Sequence, residues 1–125
     1  MLNLLAIGLG GFLGAILRGL SYMCIYRLLP NSIFLATLFV NVLGSFLIGV
    51  LFCYIEIKGM PPWLRSFIGI GFLGAFTTFS TFSYENLMFL QNGFWVSLVF
   101  NILLNVGLCL FAVWLGFVFL RQILL

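Results

Sequence analysis

Apolar residues run along this 125-residue chain in four long blocks, and the gaps between the blocks fall on turn-forming residues. Those gaps are Pro30-Asn31, Lys58-Gly59-Met60-Pro61-Pro62 and Gln91-Asn92-Gly93, built from the residue types that most strongly interrupt regular structure. The blocks between them run from Leu4 to Tyr26, Ile33 to Ile55, Trp63 to Leu90 and Phe94 to Leu120. A bilayer core of about 30 Å needs about 20 apolar residues in a helix, and each block reaches that length. In hydrocarbon only a helix satisfies its backbone within one segment. The pattern therefore predicts an all-α membrane protein with four transmembrane helices in one domain and no room for a soluble one. Gly10 and Gly14, with Gly44, Gly49, Gly107 and Gly116, are small residues suited to close helix packing.

Polar positions inside these blocks fall in stripes. The second block carries Thr37, Asn41 and Ser45 at four-residue spacing, hence on one helical face. The fourth carries Ser97, Asn101, Asn105 and Cys109 in the same way, continuing as Ala112 and Gly116. Buried amides are costly in lipid without partners or water. The stripes therefore act either as interhelical glue or as the lining of a polar pathway, and two of them in so small a chain favour a pathway. Arg18 either snorkels to the far interface or adds positive potential to a water-filled mouth. Glu85 suggests a proton or cation site by its depth, although a place near the interface, solvated or bonded to a neighbouring hydroxyl, favours a structural role.

The third block is the exception among its neighbours. Residues 74 to 86 read GAFTTFSTFSYEN, the most polar run in the chain, at the middle of a predicted span. Gly69, Gly71 and Gly74 precede the centre and Thr77-Thr78 follow it, so a helix break is expected between Ala75 and Thr78. Irregular backbone at that depth must be buried in protein or line water. Facing breaks from two subunits would make a small cage of carbonyl oxygens suited to Na+. Beyond the break, Phe79 and Phe82 share a face, with the hydroxyls of Ser80, Thr81 and Ser83 around them. Phenyl ring edges are electropositive and attract a small anion.

Composition narrows the classes. Hydrophobic residues make up 65% of positions and charged ones 6%, too few charges to cover a water-soluble domain. The first block lacks the basic flank of a cleavable signal peptide. Cys24, Cys53 and Cys109 lie in apolar surroundings without CxxC pairing and read as small buried thiols. A net charge of +3 is too sparse to imply nucleic acid, and without histidine or an acid pair an enzyme is the least supported class. Lys58, Arg65 and Arg121 fall on one membrane side; Arg27 falls on the other, with Arg18 if it snorkels there. Three against two gives the positive-inside rule little to act on, so copies in both orientations are expected, forming an antiparallel pair.

Over its full length the chain resembles the Fluc (CrcB-type) fluoride channels, on GGFLGAILR at 10 to 18, TLFVNVLGSFLIG at 37 to 49, GFLGAFTTFSTFSYE at 71 to 85 and LLNVGLCLFAVWLG at 103 to 116. The resemblance implies an antiparallel dual-topology homodimer with two fluoride pores and passive export of cytoplasmic fluoride; the helical spans point to a multi-pass place in the inner (plasma) membrane. It implies a central structural Na+ held by the backbone carbonyls of Gly74 and Thr77. It implies pore roles for Asn41, Phe79, Phe82, Ser80 and Thr81, and a vestibule role for Arg18. Ala75 and Cys109 depart from the family pattern; Cys109 is a weaker donor than the usual hydroxyl, which Asn105 nearby would offset. Two rivals remain: a small dual-topology four-helix drug/proton antiporter, which wants a deep carboxylate that the first block lacks, and a structural membrane subunit without transport.

Overall fold

In the computed structural model, which describes residues 1–30 and 32–125, the four expected spans are helices. α1 covers Leu2–Leu28 and α2 covers Ile33–Lys58. The third span, Pro62–Gln91, is composite. It consists of α3 (Pro62–Arg65), a π-helical stretch (Ser66–Leu73), α4 (Gly74–Phe76) and, after a break, α5 (Phe79–Gln91). The fourth span is α6, Trp95–Leu124. All four are long and apolar enough to cross a membrane, and the protein is a multi-pass membrane protein. The helices run past the apolar blocks because helical backbone continues into the headgroup region until a residue ends it. Gly59 and Gly93 do so with φ of 75° and 74°, a conformation that other residues rarely adopt. Of the first predicted turn, Pro30 lies in a turn, and Asn31 falls outside the described residues.

The glycines set the packing. Without an apolar-versus-water drive inside lipid, helices associate through close backbone contact. A Cβ on Gly10 or Gly14 would overlap the carbonyl of Phe67 or Phe72, so α1 lies directly against the π-helical stretch. A Cβ on Gly49 or Gly116 would overlap the carbonyl of Val113 or Phe46, so α2 and α6 cross as closely. Gly44 faces the Thr77 side chain in the same way. Gly107 departs from the expectation: nothing stands within 4 Å of its missing Cβ, and it lies on an exposed face of α6. Ala36, Val40, Cys53 and Phe76 fill the interior between these two helix pairs.

The break falls where the glycines and threonines of the third block placed it. Gly69 and Gly71, within Ser66–Leu73, loosen the helix into π geometry, a form frequent at functional sites. Thr77 (φ −82°, ψ 159°) and Thr78 (φ −150°, ψ 112°) are then fully extended. Thr78 restarts the helix as the N-cap of α5, its Oγ1 accepting the Thr81 N–H at 3.2 Å.

Candidate functional site

Restarting a helix at membrane depth leaves backbone groups that need partners, and α2 provides them. Asn41 donates from Nδ2 to the Thr78 carbonyl at 3.1 Å and accepts the Thr78 N–H on Oδ1 at 2.8 Å. The Thr78 N–H is the group that would otherwise bond the Gly74 carbonyl, so that carbonyl is left without its usual helical donor. On the other side of the break, Arg18 Nη1 donates to the Thr77 carbonyl at 3.3 Å. Arg18 is half-buried and held at the break, so the snorkelling alternative does not apply. Interfacial positive charge is then three residues on one side (Lys58, Arg65, Arg121) against Arg27 on the other, a stronger bias than three against two.

Around the Thr78 hydroxyl the third block gathers its donors. Thr78 Oγ1 lies 2.9 Å from Thr81 Oγ1 and 3.2 Å from Ser80 Oγ. Hydroxyl hydrogens rotate, so these three can turn towards one another or towards an arriving anion without moving a heavy atom. Ser80 is exposed on the subunit surface. Beside it, the Phe79 and Phe82 rings stand 5.4 Å apart, tilted at 51°. Phe82 is 7% exposed and fixed by packing, whereas Phe79 is 76% exposed.

A groove of about 410 Å³ runs along this surface. Asn41, Asn105 and Cys109 line it together with Phe79 and Phe82, and Gly74 and Thr77 border it at the break. Ser80, Thr81 and Arg18 are not among its walls. The two wall amides have their N–H groups committed to protein. Asn41 Nδ2 also donates to Asn105 Oδ1 at 3.3 Å, and Asn105 Nδ2 donates to Asn101 Oδ1 and O at 2.9 Å and 3.2 Å. Asn105 is therefore not a spare donor standing in for the Cys109 thiol. The freely rotating hydroxyls carry that role better.

Residues outside the predicted site complete it. Thr78 is its structural hub, a role foreshadowed only by the Thr-x-x-Thr spacing at the helix restart. Asn101 was visible only as a member of a stripe. Glu85 lies 6% exposed rather than solvated. Its Oε1 accepts a short hydrogen bond from the Thr37 hydroxyl, and the Tyr22 hydroxyl, 2.7 Å from Thr37 Oγ1, donates in turn. Thr37 is thus glue between α2 and α5, while Asn41 and Ser45 further along the same stripe face the groove. Among the described residues, no group of three or more His, Cys, Asp or Glu side chains could hold a metal.

Comparison with known proteins agrees with this layout. The family model for CrcB-like protein, Camphor Resistance (CrcB), matches residues 5–117. A protein of Campylobacter jejuni named fluoride-specific ion channel FluC is 61% identical over 122 residues, covering 97% of this chain and all of that protein. Proteins of the same name from Campylobacter lari and Shewanella denitrificans are 52% and 47% identical, covering 95% and 93% of this chain and 98% and 94% of their own lengths. None of these comparisons supports the antiporter alternative. The chain belongs to the CrcB-like family.

Proposed function

We propose that this protein is a fluoride-selective ion channel, not an enzyme, which lets cytoplasmic F− leave the cell down its electrochemical gradient. The observation that carries the reading is the ring pair Phe79–Phe82 beside the rotatable hydroxyls of Thr78, Ser80 and Thr81, at a helix break in the bilayer interior. Relatives that cover nearly the whole chain are named for the same ion. Fluoride is compact and tightly hydrated, so its water must be replaced at close range. Hydroxyl donors and electropositive ring edges do this, and Arg18 adds positive potential at the break. A membrane potential negative inside drives the ion outward by about 2.3 kcal/mol per 100 mV.

The assembly is an antiparallel homodimer in the inner membrane with two pores. Exposed Ser80 and Phe79, and a groove open on one side, support a partner surface there. The break is also suited to Na+: the Gly74 carbonyl lacks its helical donor, and the Thr77 carbonyl keeps a second lone pair beside its bond from Arg18. Two carbonyls from each copy would supply four hard oxygen ligands. A bound ion would contribute fixed positive charge and join the two breaks. Asn41 acts at this site mainly by clamping Thr78.

Fluoride efflux from proteoliposomes tests the function. The expected result is fast, electrogenic release of F− with little Cl− leak; well-folded protein giving no flux, or exchange requiring protons, overturns it.

A further inference from the structure

Four asparagine side chains stand in series from the helix break towards the far end of α5. Asn41 Nδ2 donates to Asn105 Oδ1 at 3.3 Å, Asn105 Nδ2 to Asn101 Oδ1 at 2.9 Å, and Asn101 Nδ2 to Asn86 Oδ1 at 3.0 Å. A side-chain amide has nearly the same outline either way round, so its direction is set by groups that cannot flip. Backbone supplies such groups at two points. The Thr78 N–H only donates and its carbonyl only accepts, which fixes both edges of Asn41. The Asn101 carbonyl only accepts, which fixes Asn105 Nδ2, 3.2 Å away.

The remaining orientations follow. Asn105 turns Oδ1 to Asn41, Asn101 answers Asn105 with Oδ1, and its own Nδ2 is left to face Asn86. Turning over Asn105 or Asn101 sets N–H against N–H on one side and oxygen against oxygen on the other. Asn101 and Asn105 are buried, where mismatched amides are costly and aligned ones polarise each other. Every bond in the series donates in the same direction.

We propose that Asn101 and Asn86 are positioning residues of the anion path, reinforcing through this one-way series the orientation of Asn105, and through it of Asn41, that the backbone groups select. The inference rests on the channel reading above. Without the tail of the series, Asn105 Nδ2 keeps only the Asn101 carbonyl, its amide is less firmly aligned and less polarised, its Oδ1 holds Asn41 Nδ2 more weakly, and the clamp on Thr78 slackens. Thr78 carries the hydroxyl hub beside the ring pair, so the effect reaches the ion without Asn86 or Asn101 touching it.

The test uses full-length protein labelled with 15N-asparagine, reconstituted in nanodiscs for NMR and in liposomes for flux. In Asn86→Leu and in Asn101→Leu, the Asn41 side-chain NH2 signals are expected to move. Fluoride efflux should fall roughly tenfold in Asn101→Leu, as for loss of one buried amide bond, and the double variant should lose no more than that. Asn86→Asp keeps an acceptor for Asn101 and should leave the Asn41 signals in place. Unmoved Asn41 signals in both leucine variants, or losses of flux that multiply, overturn the proposal. If Asn101→Leu does not fold, the Asn86 pair decides alone, because that half-buried end tolerates change. Wild-type protein that shows the coupled signals but conducts no fluoride removes the channel reading and leaves the amide series standing.

Discussion

Asn41 and Thr78, 37 positions apart, are joined by two hydrogen bonds: the Thr78 N–H donates to Asn41 Oδ1 at 2.8 Å, and Asn41 Nδ2 donates back to the Thr78 carbonyl at 3.1 Å. An irregular backbone in hydrocarbon is held here by one side chain from another span. Asn41→Leu removes both bonds and should destabilise the subunit by about 1–3 kcal/mol, the range for an unmatched buried polar group. Asn41→Asp keeps the acceptor for the Thr78 N–H but loses the donors and puts a negative charge on the groove. Its unfolding temperature should fall at least as far as that of Asn41→Leu, because a carboxylate oxygen then faces the Thr78 carbonyl and Asn105 Oδ1, and its fluoride flux falls further. A flux in Asn41→Asp equal to wild type removes Asn41 from the pathway.

The ring pair separates transport from folding. Phe79 is 76% exposed on the subunit and Phe82 only 7%. Phe79→Ile should lower thermal stability less than Phe82→Ile, because within the subunit Phe79 stands outside the core. Its flux should drop at least about tenfold, because an aliphatic side chain has no electropositive edge. Phe82→Ile should lower both. Unaltered flux in Phe79→Ile rejects the ring-edge role.

Arg18 bonds the Thr77 carbonyl, one of the oxygens of the proposed Na+ site. Removing a guanidinium next to a cation site lowers repulsion, by about 1–4 kcal/mol for unit charges 4 Å apart in a wet or near-surface setting. In Arg18→Gln, the Na+ concentration that gives half-maximal protection against thermal unfolding should therefore decrease, while fluoride flux decreases as well. Sodium protection that is absent in wild type, or equal in both proteins, speaks against carbonyl ligation at the break.

Orientation is open to a direct count. Tags on the two ends should be reached from both membrane faces in wild type. Met60→Lys adds to the three-to-one interfacial bias and should drive one orientation, with loss of flux. Co-expression with a copy carrying Lys58→Gln, Arg65→Gln and Asn92→Lys, which inverts the bias, should restore it. Full flux from a population held in one orientation sinks the antiparallel assembly.

Glycine contacts predict a sharp contrast along α6. Gly116→Ala pushes a methyl group into the Phe46 carbonyl and should cost about 1–3 kcal/mol, as overpacking does. Gly107→Ala meets open space and should be neutral or stabilising by up to about 1 kcal/mol through reduced chain entropy. Thermal unfolding in detergent checks both.

Local patterns were enough for the four spans, the place of the helix break and the adjacency of Phe79 and Phe82. Each depends on residues near one another in the chain: apolar length, glycines with β-branched hydroxyls, and three-residue helical spacing. The same patterns put Gly107 in a class with Gly116, and left Arg18 undecided between the far interface and a water-filled mouth. Folding separated those cases, because periodicity identifies a face of a helix but not what stands opposite it. The partners of Asn41, Arg18 and Glu85 lie 37, 59 and 48 positions away. In lipid, a polar group takes whichever match three-dimensional proximity offers. The direction of the amide series is likewise a property of the assembled helices: an asparagine can face either way, and only the backbone groups brought beside it by packing fix which edge donates.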